Sequence, residues 1–462
     1  MPELPEVETV VRTLEKQIGN ALITDVRVLY APIISSDPVL FKKAVVGRRI
    51  HSYKRRGKYL LFELDDICLV AHLRMEGKFF IFQGEKAPGK HDHLIFKLSD
   101  GREVHYNDVR KFGRFELIPL KKDYSDFKNL GPEPLSASFN AKYSREVLRS
   151  RSKCIKSTLL DQEFVSGIGN IYADEILFRS KIHPLIPSYL LSNKEISRLV
   201  KNAKEVLSEA IAEGGSTIRS YTSSLGVTGL FQNSLSAYGQ KGEPCPRCST
   251  PIKKIVVGGR GTHFCPKCQK NARRIAITGI IGSGKSTVSQ IIRNNGYSVF
   301  DADAVNSELL KDPLILSRIE NRFPNAFENG VLVRAKLASE IFNNPESKSD
   351  LENILHPIIR KRMLKDAKNT DLFFAEIPLL FESGFAKDFD YVICVVASEK
   401  TILERMKNRG YNEQATKERI KTQYPVKVKV RKSDLIINND ADYDQLKKNV
   451  EGWLRKADAW KK

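Results

Sequence analysis

The chain has 462 residues, too many for one ordinary core, so two to four domains are expected. An apolar share of 41% and a charged share of 28% are those of a soluble globular protein. No run approaches the roughly eighteen apolar residues of a membrane span, and the opening MPELPEVETV lacks a basic-then-apolar leader, so a cytoplasmic protein with no membrane partner is expected. The net charge of +21 is lopsided: residues through Arg274 hold 45 Lys and Arg against 29 Asp and Glu, a net +16, and the remainder nets +5. A solvated basic surface is the bland reading of such an excess. Its concentration in one half points instead to a polyanionic partner for that half, nucleic acid first.

Trimming of Met1 would leave Pro2 with a free secondary amine. Proline followed by acidic residues is also a good helix start, and Val7, Val10, Val11 and Leu14 give helical apolar spacing. The two readings are compatible, with the helix presenting the amine at its own beginning. An amine of near-neutral pKa attacks an aldehydic sugar carbon to form a Schiff base, and Glu3 beside it can serve as general acid or base.

From Ala21 to about Phe115 the pattern becomes short strand-like runs, among them 26–30, 59–64, 79–82 and 94–98, and a β-sandwich or barrel-like domain is expected. Its loops carry Lys54 to Lys58, His72 to Met75, and Asn107 to Gly113. Met75, Arg110 and Phe112 on neighbouring loops suit a wedge, in which apolar groups enter a base stack while the cation bonds the orphaned base. Taken singly, Met75 and Phe112 read more readily as core residues.

Helical periodicity follows from about Ser144 to Gly214. Ser192 to Glu195 is a capping box ahead of Ile196, Leu199, Val200, Ala203, Val206, Leu207 and Ile211, with Gly214 and Gly215 as the stop. Upstream, helices at 157–160 and 170–178 are joined by a glycine-containing turn, Glu163 to Gly169. That turn offers backbone N–H groups to a phosphate, with Asn170 adding a side-chain donor.

Cys245, Cys248, Cys265 and Cys268 form C-x2-C-x16-C-x2-C, the spacing of a tetrahedral zinc site on two knuckles rather than of a disulfide framework. Four thiolates leave no open position, so the zinc is expected to be structural. Arg260, in the glycine-rich turn between the knuckles, is placed to reach DNA phosphate.

PELPEVE, NDVRKFGRFE, GIGNIYADEILF and GGRGTHFCPKCQ together resemble formamidopyrimidine-DNA glycosylase over Pro2 to Lys270. The resemblance implies Pro2 as the Schiff-base nucleophile with Glu3 beside it. It implies Lys58, Asn170 and Arg260 gripping the DNA backbone, with His72 and His91 joining the DNA-binding set and Lys58 and Arg260 also counted with the catalytic group. Met75, Arg110 and Phe112 would fill the gap left by the flipped nucleotide. Leu4, where the endonuclease VIII group has glycine, favours the oxidised-purine branch. Ser223 to Phe231 resembles the loop that caps the lesion.

Only Gln269 to Arg274 separate the last cysteine from the next strand-like run. That run, Ile275 to Thr278, enters Gly279-x4-Gly284-Lys285-Ser286 and a helix, a complete phosphate-binding loop. Gly279, Ile280, Ile281, Gly282, Ser283, Gly284 and Thr287 supply the cradle; Lys285 reaches the outer phosphates and Ser286 coordinates Mg²⁺. Strand-like and helical stretches then alternate, as a parallel α/β sheet requires. Asp301 and Asp303 stand at a strand tip, where substrate residues or a plain turn are equally expected, and Leu372 to Glu382 reads as a buried strand with a carboxylate near its end. Arg405, Arg409 and Arg419 suit a lid over phosphates.

TGIIGSGKST, FDAD, LENILHP, EIPLLFESGF and RIKTQYPVKVKVRKSDLIINN resemble dephospho-CoA kinase, over about Arg274 to Asp440. The resemblance implies Asp303 as base for the ribose 3′-hydroxyl, and Arg405 and Arg409 as lid contacts to ATP. Ile280 replaces a usual glycine at a position that tolerates any residue, and Phe323-Pro324 stands where Phe-Gly is typical.

The expected architecture is a β-sandwich glycosylase domain at 1–135, a helix–two-turns–helix DNA-binding domain at 136–235, a zinc finger at 236–270 and an α/β P-loop kinase domain with a parallel sheet at 274–462. The expected partners are damaged double-stranded DNA, ATP and dephospho-CoA, with Zn²⁺ and Mg²⁺ as metals and no protein partner. Charge and loops alone leave open a silent or endonuclease VIII-like DNA-binding half. The P-loop alone leaves open a kinase for another small molecule, such as a nucleotide or shikimate.

Overall fold

In a computed structural model, which describes residues 1–216 and 229–458, the chain divides into two compact units, Met1–Lys270 and Asn271–Lys462. The first opens with α1 (Leu4–Ile18), whose Val7, Val10, Val11 and Leu14 are buried along one stripe, as their spacing requires. There follow β1 (Ile23–Val28), α2 (Pro38–Val45), β2 (Ser52–Arg56), β3 (Tyr59–Glu63), β4 (Ile67–His72), β5 (Lys78–Phe82), β6 (Asp92–Leu98), β7 (Glu103–Asn107) and β8 (Arg114–Pro119). Two antiparallel four-stranded sheets result, in the orders β1-β6-β7-β5 and β2-β3-β4-β8. Leu14, Phe41, Leu60, Phe79, Leu94 and Tyr106 join both sheets, α1 and α2 in one core.

Helix α2 departs from the all-strand expectation over this stretch. Asp37 caps it through Val39 and Leu40 N–H at 2.9 and 3.2 Å, and Pro38 holds its first position, a local start signal that outweighs the β-branched residues within. The helical layer comprises α3 (Ala141–Ser150), α4 (Ile155–Leu160), α5 (Asn170–Ser180) and α6 (Asn193–Ala212). Ser192 and Glu195 exchange the hydrogen bonds of the capping box. Strands β9 (Lys253–Val257) and β10 (Arg260–Phe264) form the antiparallel hairpin between the cysteine knuckles.

Arg56 ties the sandwich to the segment that leads into the helical layer. Its buried guanidinium donates to the carbonyls of Tyr124, Ser125, Leu130 and Gly131, to Glu133 and to Ser166 Oγ.

The second unit contains β11 (Arg273–Thr278), α7 (Lys285–Asn294), β12 (Val299–Asp301), α8 (Ala302–Leu309), α9 (Pro313–Arg322), β13 (Phe327–Glu328), β14 (Val331–Leu332), α10 (Arg334–Asn343) and α11 (Pro345–Asp366). It continues through β15 (Leu372–Glu376), β16 (Tyr391–Val396), α12 (Glu399–Lys407), α13 (Glu413–Lys421), α14 (Val426–Lys432), β17 (Leu435–Asn438) and α15 (Tyr443–Asp458). The main sheet is fully parallel in the order β12-β15-β11-β16-β17, so β11 delivers the phosphate-binding loop from the sheet centre. Ile280 packs on Ile402 and Met406 instead of perturbing that loop. Pro324 opens a 3-10 turn, Pro324–Ala326, at a position where a preset φ is an advantage and no glycine is needed. Among the described residues no helix is long and apolar enough to cross a membrane.

Replacing Arg56 by Met orphans the acceptors that meet on it. Thermal denaturation read by loss of DNA binding should show destabilisation of roughly 3–5 kcal/mol, the cost of breaking a buried charged network; a change below about 1 kcal/mol would make the cluster incidental.

Candidate active sites

The first site is built on the start of α5. Glu3 is buried, and its carboxylate accepts hydrogen bonds from Gly169 N–H (2.7 Å), Ile171 N–H (2.9 Å) and Tyr172 N–H (3.3 Å), which α5 cannot satisfy itself. A Cβ on Gly169 would overlap Glu3, so glycine is required where the two chains meet. Burial, with the nearby charge of Glu6, raises the Glu3 carboxyl above its ordinary value against the pull of Lys58 and the helix N–H groups. Lys58 is buried too; desolvation lowers its ammonium against the charges of Glu3 and Glu6. The Met1 ammonium, at the mouth of this cluster, is likewise lowered by burial. Pro2, between Met1 and Glu3 in sequence, is buried.

Glu6 is a member that sequence reasoning passed over. It accepts from Glu3 N–H (2.8 Å), Tyr172 Oη (2.5 Å) and Ser216 N–H (2.8 Å), joining α1, α5 and the chain after α6. Its place three residues after Glu3, at the third position of α1, was the available signal.

The wedge residues stand on two loops that share one support. Tyr106 is fully buried, and a Cβ on either Gly77 or Gly113 would overlap its hydroxyl. The loops bearing Met75 and Phe112 therefore rest on the same ring. Asp108, fully buried, accepts from Arg110 N–H (3.0 Å) and Gly113 N–H (2.7 Å). Phe112 is 48% exposed with the Arg110 guanidinium 5.0 Å from its ring centroid, and Met75 is half-buried, which corrects the core reading of these residues taken singly. His72 is a neutral ring whose Nδ1 accepts from Arg74 N–H at 2.9 Å, so its proton sits on Nε2 as a donor. Desolvation, aided by Arg74 and Lys58, lowers its pKa to about 3. His91 is half-buried, and its carbonyl accepts from Asp108 N–H at 3.0 Å.

Asn170 does not offer all its donors outward: Nδ2 bonds the Gly261 carbonyl at 2.9 Å, fastening α5 to the finger turn beside the exposed Arg260. Asp174 reinforces the joint through Lys156 Nζ (2.6 Å) and His263 N–H (2.8 Å), and Glu175 through the N–H groups of Ser236, Ala237 and Tyr238. The sulfurs of the four cysteines all lie within 4.8 Å of one another, Cys248 Sγ 3.5 Å from those of Cys265 and Cys268, and Cys245 Sγ 4.0 Å from that of Cys268. Zn–S bonds of about 2.3 Å would set tetrahedral sulfurs about 3.8 Å apart, so the set fits one zinc ion. Of the expected lesion-capping loop Ser223 to Phe231, residues 223–228 lie outside the described residues.

In the second unit Lys285 lies buried along the loop, donating to the Ile280 carbonyl at 3.1 Å. Burial lowers its ammonium against the charges of Glu376 and Asp303. Ser286 Oγ donates to Glu376 Oε1 at 2.9 Å, while Glu376 Oε2 is buried with no partner, an orphaned acceptor that suits a divalent cation. Asp303, in the first turn of α8, keeps an exposed edge, and its carboxyl is raised by partial desolvation against its neighbours and by the charge of Asp301. Beside it opens a cavity of about 290 Å³, lined among others by Asn306, Lys348, His356, Leu379 and Phe385.

The expected arginine lid is divided. Arg405, on α12, donates to the Asn439 carbonyl at 2.8 Å and leaves Nη1 buried and unpartnered, 3.6 Å from where a Gly284 Cβ would sit. Arg409 follows in an exposed turn. Arg419, on α13, packs its guanidinium 4.6 Å from the Tyr411 ring.

Comparison with known proteins gives the same division. Residues 1–115 match the family described as Formamidopyrimidine-DNA glycosylase N-terminal domain, residues 130–222 its H2TH domain, residues 242–271 the zinc finger found in FPG and IleRS, and residues 273–445 Dephospho-CoA kinase. A formamidopyrimidine-DNA glycosylase from Bacillus licheniformis is 48% identical over 274 residues, 58% of this chain and 100% of the relative. One from Ligilactobacillus salivarius is 48% identical over 272 residues, 58% of this chain and 99% of the relative. The solved complex of Lactococcus lactis Fpg with DNA containing an abasic site superposes with a TM-score of 0.56 at 46% identity, covering 58% of this chain and 99% of that one. A variant of the same Fpg bound to DNA containing Fapy-dG gives 0.56 at 47% identity, covering 58% and 100%.

Chelation should release one zinc ion per chain and lower affinity for DNA, while ATP-dependent activity persists; metal release with DNA affinity intact would contradict a finger needed for the grip. His72 adds a pH signature. As pH falls from 6.5 toward about 3, the unfolded chain takes up a proton that the folded ring refuses, so the first unit loses stability across that window. The slope should be shallower for His72→Gln, by denaturant titration at each pH.

Proposed function

The chain belongs to the formamidopyrimidine-DNA glycosylase family through its first 270 residues and carries a dephospho-CoA kinase domain after them in sequence, and from this premise we propose which residues act. It is a DNA glycosylase fused to a kinase of coenzyme A synthesis, with structural zinc in the finger.

In the first half, Pro2 is the nucleophile once Met1 is removed. The surroundings that lower the Met1 ammonium would act on the Pro2 amine and favour its unprotonated form. Its nitrogen attacks C1′ of an extruded nucleotide, the bond from C1′ to the base breaks, and the base leaves with the amine proton; the C1′–O4′ bond then opens, O4′ taking a proton, to leave an iminium between the nitrogen and C1′. The iminium so formed acidifies C2′–H, and loss of that proton expels the 3′-phosphate; loss of the C4′ proton then expels the 5′-phosphate. Glu3, its carboxyl raised by burial, exchanges protons with the sugar and the departing groups. Lys58, Arg260, His72, His91 and Asn170 hold phosphates, and Met75, Arg110 and Phe112 fill the vacated stack. The substrates are oxidised purines, 8-oxoguanine and formamidopyrimidines, a reading supported by the relatives' names and by Leu4. The observation that carries this half is Glu3 seated on α5, which holds the N-terminal segment beside Lys58.

In the second half, Asp303 accepts the proton of the 3′-hydroxyl of dephospho-CoA as that oxygen attacks the γ-phosphorus of ATP, and the bond from that phosphorus to the β,γ-bridging oxygen breaks as ADP leaves. Its raised carboxyl and its place beside the 290 Å³ cavity suit that role. Lys285, Arg405 and Arg409 stabilise the charge that develops on the transferred phosphoryl group, with N–H groups of Gly279 to Thr287 lining the phosphates. Ser286 and Glu376 would hold Mg²⁺, which would supply positive charge against the negative charge of the phosphates.

A variant that retains residues ahead of Pro2 should lose base excision while phosphorylating dephospho-CoA at the native rate; excision that survives the extension would remove Pro2 from the mechanism. Asp303→Asn should lower kcat of the kinase by about 10²–10⁴-fold with a much smaller change in the KM for ATP. Loss confined to KM would make Asp303 a binding group.

A further inference from the structure

Strand β7 turns Val104 and Tyr106 into the sandwich core and Glu103 and His105 to the other face. His105 is wholly buried there, with Nδ1 2.9 Å from Asp92 Oδ2 and Nε2 3.0 Å from Glu103 Oε2. Ionised carboxylates only accept, so both ring nitrogens must donate and the ring is an imidazolium. Arg27 pairs with Glu103 at 2.9 Å, and Asn107 Nδ2 bonds Asp92 Oδ1 at 2.8 Å. Two cations then balance two anions; a neutral ring would leave one buried negative charge uncompensated. Burial alone would raise both carboxyls. Hydrogen bonds from Asn107, His105 and Gly89 to Asp92, and from His105 and Lys86 to Glu103, hold both below their ordinary values.

The cluster reaches outward through backbone. Residues 83–90 are exposed throughout, yet Lys86 N–H donates to Glu103 Oε2 at 3.0 Å and Gly89 N–H to Asp92 Oδ2 at 2.7 Å. The next residue is His91, whose carbonyl joins the Asp108 loop that carries Arg110 and Phe112.

We propose that His105 is a positioning residue for DNA binding, an imidazolium clamped between Asp92 and Glu103 that locks the 83–91 loop so that Lys86, Lys90 and His91 meet phosphates as a preformed surface. The role rests on the reading that His91 grips the DNA backbone. A surface ordered in advance spares the complex the entropy of ordering it, so the effect falls on affinity rather than on the chemical step.

The test uses the full chain and a lesion duplex, reading KM and kcat for excision, hydrogen exchange over 83–91 and kinase rate. His105→Leu should raise KM about tenfold, leave kcat within about twofold and quicken exchange in the loop, with the kinase rate unchanged. His105→Arg, which keeps a cation between the carboxylates, should recover more affinity than His105→Gln. Lys86→Pro deletes the loop N–H that bonds Glu103 while leaving His105 in place, and it should raise KM beyond Lys86→Ala, which loses the side-chain charge alone; this keeps the proposal open to refutation if His105→Leu unfolds the sandwich. A KM for Lys86→Pro no higher than that of Lys86→Ala, together with unchanged KM or collapse of the fold in His105→Leu, would overturn it. His91→Ala separates the two readings: raised KM there with none in His105→Leu overturns the positioning role alone, and no change in either overturns both.

Discussion

A carboxylate buried against the first N–H groups of a helix organises the glycosylase half. Glu3 saturates the start of α5, and in doing so it brings the chain's first residues to the helix whose next turn fastens the finger. Removing the carboxylate would orphan three N–H donors and leave Lys58 buried without one of its two compensating anions. Sandwich, helix and hairpin are thus held in register by contacts that converge on α5, from Glu3 at its start to Asp174 and Glu175 in its middle.

Both halves prepare for phosphate in the same way. Each buries a lysine ammonium, Lys58 or Lys285, and balances it with two carboxylates, Glu3 and Glu6 in one case and Glu376 and Asp303 in the other. Burial strips water from the cation beforehand, so an arriving phosphate meets a charge that need not be dehydrated. The carboxylates keep the pocket tolerable while it is empty, and their raised proton affinity at Glu3 and Asp303 makes them proton carriers.

What the sequence disclosed was local. The capping box before α6, the cysteine knuckles and the loop before α7 are specified by residues a few positions apart, and each is where its spacing puts it. Pro2 and Asp303 stood out by local chemistry, a trimmable Met1 and a strand tip, but it was the resemblance to known families that assigned their roles and that of Lys58. Less legible were the partnerships that close over distance. Glu6 meets Ser216 across 210 residues, and His263 meets Asp174 across 89. Tyr106 reads as one more strand aromatic until the glycines of two loops are found against its hydroxyl. Helix α2 was missed because three of its eight residues are valine or phenylalanine within a strand-rich stretch, while a single Asp-Pro start decides its conformation.

The central claim is that the amine next to Glu3 does the covalent chemistry. Borohydride reduction during turnover on a lesion duplex, followed by proteolysis and mass mapping of the cross-linked peptide, tests it most directly. The DNA remnant should be found on the nitrogen of Pro2 in a chain that has lost Met1. Attachment at Lys58 or any other amine, or turnover with no reducible adduct, would contradict the account.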